Sequence, residues 1–293
     1  MSDRLRVADE VADALARGSA VVALETSIVG QGLPAPHNLQ AARGCESAIR
    51  EEGAVPATIG VLDGQIVVGL SEGELERIAA GAIKVSARDL GPALVRRDVG
   101  ATTVAATMRA ASMVGIRCFA TGGVGGVHRG HPEDQSADLV ELGQTAVAVF
   151  CAGAKIILDL PLTLERLESL SVPVLGYGCD ELPAFYTRHS GCRVPARVDG
   201  PQETAAVLSA AWASGSRGVV VAIPPPGELG DAEEIVLRAT RELADVVGPE
   251  ATPRLLARVA ELSGGRSLQL NVDLVVNNAR VAARVARCLV EGR

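Results

Sequence analysis

Short runs of small and β-branched apolar residues recur along the chain, and most are followed by an amphipathic stretch of helical length. That cadence admits few folds, because alternating strand and helix brings successive strands back in parallel, and a parallel sheet must be covered on both faces. Strands are expected at Ala20–Leu24, Ile116–Ala120, Ala146–Cys151, Val172–Leu175, Val194–Val198 and Gly218–Ile223. Helices are expected over Leu5–Arg17, His37–Glu52, Ser71–Ala80, Thr103–Val114, Ser136–Gly143, Leu162–Leu170, Pro201–Ala213, Asp231–Val247, Thr252–Leu262 and Leu274–Val290. A short strand ends near Lys84-Val85. The runs 57–62 and 65–68 flank Asp63-Gly64, a two-residue hairpin signal, so one strand pair is antiparallel and the sheet is mixed. The expected fold is therefore α/β, a three-layer α/β/α arrangement with a central mixed sheet. Residues 1–293 read as a single domain, since no Pro/Ser/Gly-rich linker or charge block divides them.

Charge narrows the function. The chain carries 35 acidic and 28 basic residues, a net charge of −7, and no Lys/Arg run, which argues against a nucleic-acid polymer as partner. No apolar run reaches the roughly 18 residues that span a bilayer. The stretch Met1-Ser2-Asp3-Arg4-Leu5-Arg6 lacks the apolar core of a signal peptide, so a cytoplasmic protein without membrane contact is expected. The six cysteines have no CxxC spacing and read as reduced thiols.

Among the 28 basic residues only Lys84 and Lys155 are lysine. Arginine stays charged, whereas a desolvated lysine can become a free amine and attack a carbonyl. Lys155 follows a buried strand through Ala152-Gly153-Ala154, a small apolar setting that would favour the amine. Glu25, at the end of another buried strand, could supply an acid. The loop Thr121–Gly130 holds five glycines with His128-Arg129 among them, and its backbone N–H groups could cradle an anion. It matches neither the dinucleotide fingerprint nor a phosphate-binding GK[ST] loop. Ser136 is a natural helix cap that leaves Asp134 outside the helix and Asp138 within its first turn, where the dipole favours an acid in any case. A divalent ion held here would have few protein ligands and keep most of its water.

The stretches Ala23–Ile28, Val55–Ile59, Lys84–Leu90, Gly100–Val104, Thr121–Gly130, Ser136–Leu139, Cys151–Lys155 and Ser267–Asn271, in this order, resemble the pseudouridine-5′-phosphate glycosidase family, also called the indigoidine synthase A-like family. The resemblance covers nearly the whole chain. It implies cleavage of the C–C glycosidic bond of pseudouridine 5′-phosphate to uracil and ribose 5-phosphate, with a divalent metal, commonly Mn²⁺, in a homotrimer. By the same resemblance Lys155 is the nucleophile that forms an imine with the opened ribose, and Glu25 is the proton donor. Lys84, Val104, Ser136, Ala137 and Asp138 become substrate contacts, Asp134 the metal ligand, and His128 and Asn271 further substrate positions. Two places depart from the family pattern: Gln31 stands where a histidine is usual, and Ile223-Pro224-Pro225 replaces Asn-Pro-Ile. Two other readings use the same residues, a Schiff-base lyase or aldolase acting on another sugar phosphate and a non-catalytic metabolite-binding accessory protein.

Overall fold

The computed structural model describes residues 2–243, 245–246 and 251–292. Among them, eleven strands join one mixed sheet with helices packed around it. Its main path runs from edge to edge through Leu5–Val7, Gln65–Val68, Val55–Leu62, Val21–Leu24, Cys118–Ala120, Ala148–Cys151, Val219–Ala222, Val174–Tyr177 and Ala196–Val198. From Val55–Leu62 onward along this path each neighbouring pair is parallel. Every residue of Val21–Leu24, Ala148–Cys151 and Val219–Ala222 is buried, which is why these strands appear in the sequence as unbroken apolar runs.

The expected hairpin is present. Val55–Leu62 pairs antiparallel with Gln65–Val68, and both turn residues have positive φ, 54° at Asp63 and 82° at Gly64, as the primed turn requires. The helix expected over Leu5–Arg17 is shorter. Leu5–Val7 instead forms an edge strand parallel to Ile66–Val68, extended backbone at Ala8 breaks away from it, and helix runs only over Asp9–Ala16. The last helix starts two turns before Leu274 and spans Arg266–Glu291, with Ser263 Oγ accepting from the Ser267 N–H at its start. The helix expected to begin at Asp231 covers Ala232–Glu242, and its expected end at Val247 lies outside the described residues. A helix at Leu90–Arg96, a strand at Gly100–Thr102 and a three-stranded sheet of Leu158–Asp159, Val127–His128 and His131–Gln135 were not anticipated. All are too short or too polar to carry a hydrophobic period.

Two features position the residues discussed below. The 26-residue helix Arg266–Glu291 lies over the strands Val21–Leu24, Cys118–Ala120 and Ala148–Cys151, burying Leu274, Val275, Ala279, Ala282, Ala283 and Ala286. Its alanines let the backbone approach the sheet closely. The helices Val104–Met113 and Ala137–Leu142 are clamped by Arg109 on Glu141, whose side chain is 3% exposed and also accepts from Thr145. No helix among the described residues is long and apolar enough to cross a membrane.

Candidate active site

Three adjacent parallel strands end at one level. Leu24 lies opposite Ala120, and Ala120 opposite Phe150. The chain then delivers Glu25 from the first strand, Thr121 from the second and, four residues past Cys151, Lys155 from the third. The carboxyl ends of parallel strands are where open α/β sheets form clefts. Glu25 is half-buried, and both of its oxygens accept hydroxyl hydrogens, one from Thr121 and one from Ser27. Thr121 is itself held by its N–H on the Phe150 carbonyl (3.0 Å) and by Asn278 Nδ2 on its own carbonyl (2.9 Å). Burial raises the Glu25 pKa above the usual carboxylate value. Lys155 and the two hydroxyls oppose that rise, and the negative charge of Asp138 adds to it. A carboxyl so placed can carry a proton to a reacting atom.

Lys155 hangs from a tightly built strap. Gly153 has φ +78°, and a Cβ there would lie 1.9 Å from the Pro183 carbonyl oxygen, so only glycine fits. The strap is stitched on both sides: Val124 N–H donates to Gly153 O at 3.1 Å, Lys155 N–H to Val124 O at 3.3 Å, and Phe185 N–H to Ala152 O at 3.0 Å. Lys155 is half-buried between the buried residues Ala154 and Ile156.

Close packing requires glycine at three positions of the glycine-rich loop. A Cβ on Gly123 would meet the Phe185 ring at 2.7 Å, one on Gly125 the Ser136 hydroxyl at 2.2 Å, and one on Gly126 the Thr163 hydroxyl at 2.4 Å. Three of its N–H groups are also taken internally: Val124 by Gly153 O, Gly125 by Asp138 Oδ2 at 2.9 Å, and Val127 by Thr163 Oγ1 at 3.0 Å. Arg129 is likewise bound to the Ile156 and Leu158 carbonyls. The chain itself thus takes up part of the expected anion cradle. Asp138, 6% exposed, accepts from Gly125 on one oxygen and from Ala105 on the other, joining the loop to the start of Val104–Met113. Ser136 caps its helix as expected, Val104 is buried, and Ala137 is exposed.

His128 and Asp134 face each other across the small sheet. His128 Nδ1 lies 3.1 Å from the Asp134 carbonyl and 3.5 Å from its carboxylate. Among the described residues no group of three or more His, Cys, Asp or Glu is gathered as a metal cage. Lys84 is exposed on the strand Ile83–Val85, in register with Ala101. The next residue, Thr102, donates its N–H to Thr26 Oγ1 at 2.9 Å, which ties the Lys84 strand to the neighbour of Glu25. Gln31 supports the same strand, donating to Ala82 O at 2.7 Å, whereas Ile223 is buried and offers no polar group beyond its backbone.

Asn271 donates to the Tyr186 hydroxyl at 3.0 Å; burial pushes that phenol up to about 12, so it stays neutral. Tyr186 is fully buried and meets Phe185 edge-on at 4.8 Å between ring centres. Nε2 of His128 and Oδ1 of both Asn271 and Asn278 are buried without a hydrogen-bond partner among the described residues. Such atoms in native proteins are few, and a water or a ligand atom commonly completes them. Ser27 and Asn278 are additions to the residues expected from sequence, and Thr121, expected only as the start of the glycine-rich loop, is a partner of Glu25. Asn278 lies seven residues, two turns, after Asn271, so helical spacing alone would have put both on one face.

A model of the family described as "Indigoidine synthase A like protein" matches residues 10–288. A pseudouridine-5′-phosphate glycosidase from Nocardioides sp. (strain ATCC BAA-499 / JS614) is 53% identical, covering 97% of this chain and 96% of its own. One from Arabidopsis thaliana is 46% identical over 97% of this chain and 90% of its own. The prealnumycin C-glycosynthase AlnA, solved in complex with ribulose 5-phosphate, superposes with a TM-score of 0.90 at 38% identity, covering 99% of this chain and 98% of its own. An indigoidine synthase A-like protein from Thermotoga maritima superposes with the same score at 33% identity, over 98% and 97%. Full-length matches in both sequence and fold, with Glu25 and Lys155 delivered from the strands on either side of Cys118–Ala120, lead to one assignment: the chain belongs to the indigoidine synthase A-like family.

Proposed function

We propose that this protein cleaves the C–C glycosidic bond of pseudouridine 5′-phosphate to give uracil and ribose 5-phosphate, with Lys155 as nucleophile and Glu25 as proton donor. The observation that carries this reading is the half-buried Glu25 carboxyl, held by the Thr121 and Ser27 hydroxyls at the same sheet edge from which the Lys155 strap leaves, and near enough to feel the lysine's charge. The names of the relatives support the substrate, and the ribulose 5-phosphate bound by AlnA supports a pentose 5-phosphate in this fold. The Lys155 amine adds to C1′ as the ribose ring opens, and the ring oxygen takes up the proton that the nitrogen loses. Glu25 then protonates the uracil carbon of the glycosidic bond, and the nitrogen lone pair expels the base, leaving an iminium. Water hydrolyses that iminium to ribose 5-phosphate, frees the lysine and releases a proton. Lys84 would hold the phosphate, and the orphaned His128 Nε2 and Asn271 Oδ1 would meet polar groups of the substrate.

A divalent ion fits this site in one form only, bound through the partly exposed Asp134 carboxylate and keeping most of its own water. When bound, Mn²⁺ or a similar ion would supply positive charge and ordered water. Homotrimeric assembly in the cytoplasm is part of the same proposal. The direct experiment is to incubate the protein with pseudouridine 5′-phosphate and measure free uracil, for wild type and Lys155→Arg. Borohydride with ribose 5-phosphate should add reduced sugar phosphate to the Lys155 peptide. Absence of uracil from wild type would sink the proposal, and labelling of Lys84 instead would reverse the two lysines.

A further inference from the structure

Glu46 is a half-buried carboxyl that the chemistry above leaves unused. It sits on the helix His37–Glu51 and accepts a hydrogen bond from the Thr58 hydroxyl. Thr58 in turn lines a small cavity whose wall also includes Leu24, Glu25, Ile28, Cys45 and Ala120. The cavity measures about 10 Å³, room for about one water. Glu25 and Thr58, the residue bonded to Glu46, therefore line one water-sized space. On its outer side Glu46 is near Arg50, Glu10 and Glu72. Burial raises its pKa against the opposing pull of the Thr58 hydroxyl and Arg50, and burial also raises that of Cys45.

We propose that Glu46 and Thr58 form a proton route between solvent and Glu25, with a water in the cavity as the middle link. The inference rests on the proposed role of Glu25. In each turnover Glu25 gives one proton to the uracil carbon and must regain one before the next. Along the route, the Glu46 proton moves to Thr58 Oγ1 as the Thr58 hydrogen moves to the water and a water hydrogen moves to Glu25. A hydroxyl can play both parts because its hydrogen rotates. The net change is one proton from Glu46 to Glu25, and solvent then restores Glu46. The proton released by iminium hydrolysis balances the cycle.

The test compares wild type, Glu46→Gln, Thr58→Val and the double variant on pseudouridine 5′-phosphate, by rapid quench and in steady state. Both substitutions preserve shape and remove the transferable hydrogen. The expected result is an unchanged first-turnover uracil burst, an unchanged kcat/KM, and a kcat lower by roughly tenfold, a small part of the about 10²–10⁴-fold that a general acid contributes. The solvent deuterium effect on kcat should rise, and the double variant should be no slower than either single one. An unchanged kcat, a burst that falls in step with kcat, or additive losses would overturn the route. A wild-type enzyme that releases no uracil at all would instead overturn the glycosidase reading.

Discussion

Gly153→Ala should cost the protein both stability and activity. The native φ of +78° costs alanine about 1–2 kcal/mol. The new Cβ would lie 1.9 Å from the Pro183 carbonyl oxygen, so one backbone must move until ordinary contact, 3.4 Å or more, is restored. Overpacking of this kind typically adds about 1–3 kcal/mol. The sum, about 2–5 kcal/mol, is a large share of the roughly 5–15 kcal/mol by which domains are stable, yet it need not unfold the protein. What moves is the strap that carries Lys155, and a misplacement of about 1 Å can lower a rate roughly a hundredfold. Urea denaturation gives the first quantity, and uracil release from pseudouridine 5′-phosphate, measured well below the denaturation midpoint, gives the second. Gly73→Ala is the matched control, since Gly73 is exposed in the helix Glu72–Ala80 and a methyl there would meet no atom within 4 Å; that variant should gain up to about 1 kcal/mol. If Gly153→Ala lies within about 1 kcal/mol of wild type and keeps full activity, the strap argument is refuted.

Three further outcomes are expected. The raised pKa of Glu25 means the folded protein binds that proton more tightly than the unfolded chain, so its favourable contribution is full at acid pH and fades as pH rises through the folded value. Glu25→Gln should therefore gain melting temperature relative to wild type between pH 4 and pH 8 while losing turnover, and a loss over that interval would show that the Lys155 charge outweighs burial. Lys84→Ala should lower kcat/KM for pseudouridine 5′-phosphate by about 10- to 100-fold, the value of one charge-assisted contact of about 1.5–3 kcal/mol, and change it little for unphosphorylated pseudouridine; equal losses on both compounds would remove Lys84 from the phosphate. Chelation followed by Mn²⁺ add-back should restore activity in wild type and not in Asp134→Ala, whereas full activity in chelated wild type would leave Asp134 as a structural acid.

The central sheet was legible because its strands are buried on both faces and so are written as apolar runs bounded by turn residues, as at Ala148–Cys151. The hairpin at Asp63-Gly64 was legible for a different reason, the demand for positive φ. Leu5–Val7 misled because three residues of an edge strand, continued by a helix, mimic a longer helical period. In the site, Lys155 stood out through the rarity of lysine and its small neighbours. The packing role of the glycine-rich loop was hidden, because the lack of side chains there makes room for Phe185, Ser136 and Thr163, all distant in sequence. Thr121 and Ser27 could not be paired with Glu25 until the register of neighbouring strands was known. The hydroxyl on Glu46 was hidden for the same reason, since it comes from a strand rather than from its own helix.

Because the proposed acid and nucleophile leave from strands that are second neighbours, the sheet works as a ruler. Adjacent strands are about 4.8 Å apart, so the backbone exits toward Glu25 and Lys155 are separated by about 10 Å, two divisions with Thr121 at the middle mark. That length is graduated in backbone hydrogen bonds and does not depend on the fit of any one side chain. Surface loops can be exchanged, and the edge strands Leu5–Val7 and Ala196–Val198 can fray, without changing the gauge. Amide exchange should accordingly be slowest at Val22, Phe119 and Val149, the middle of the scale.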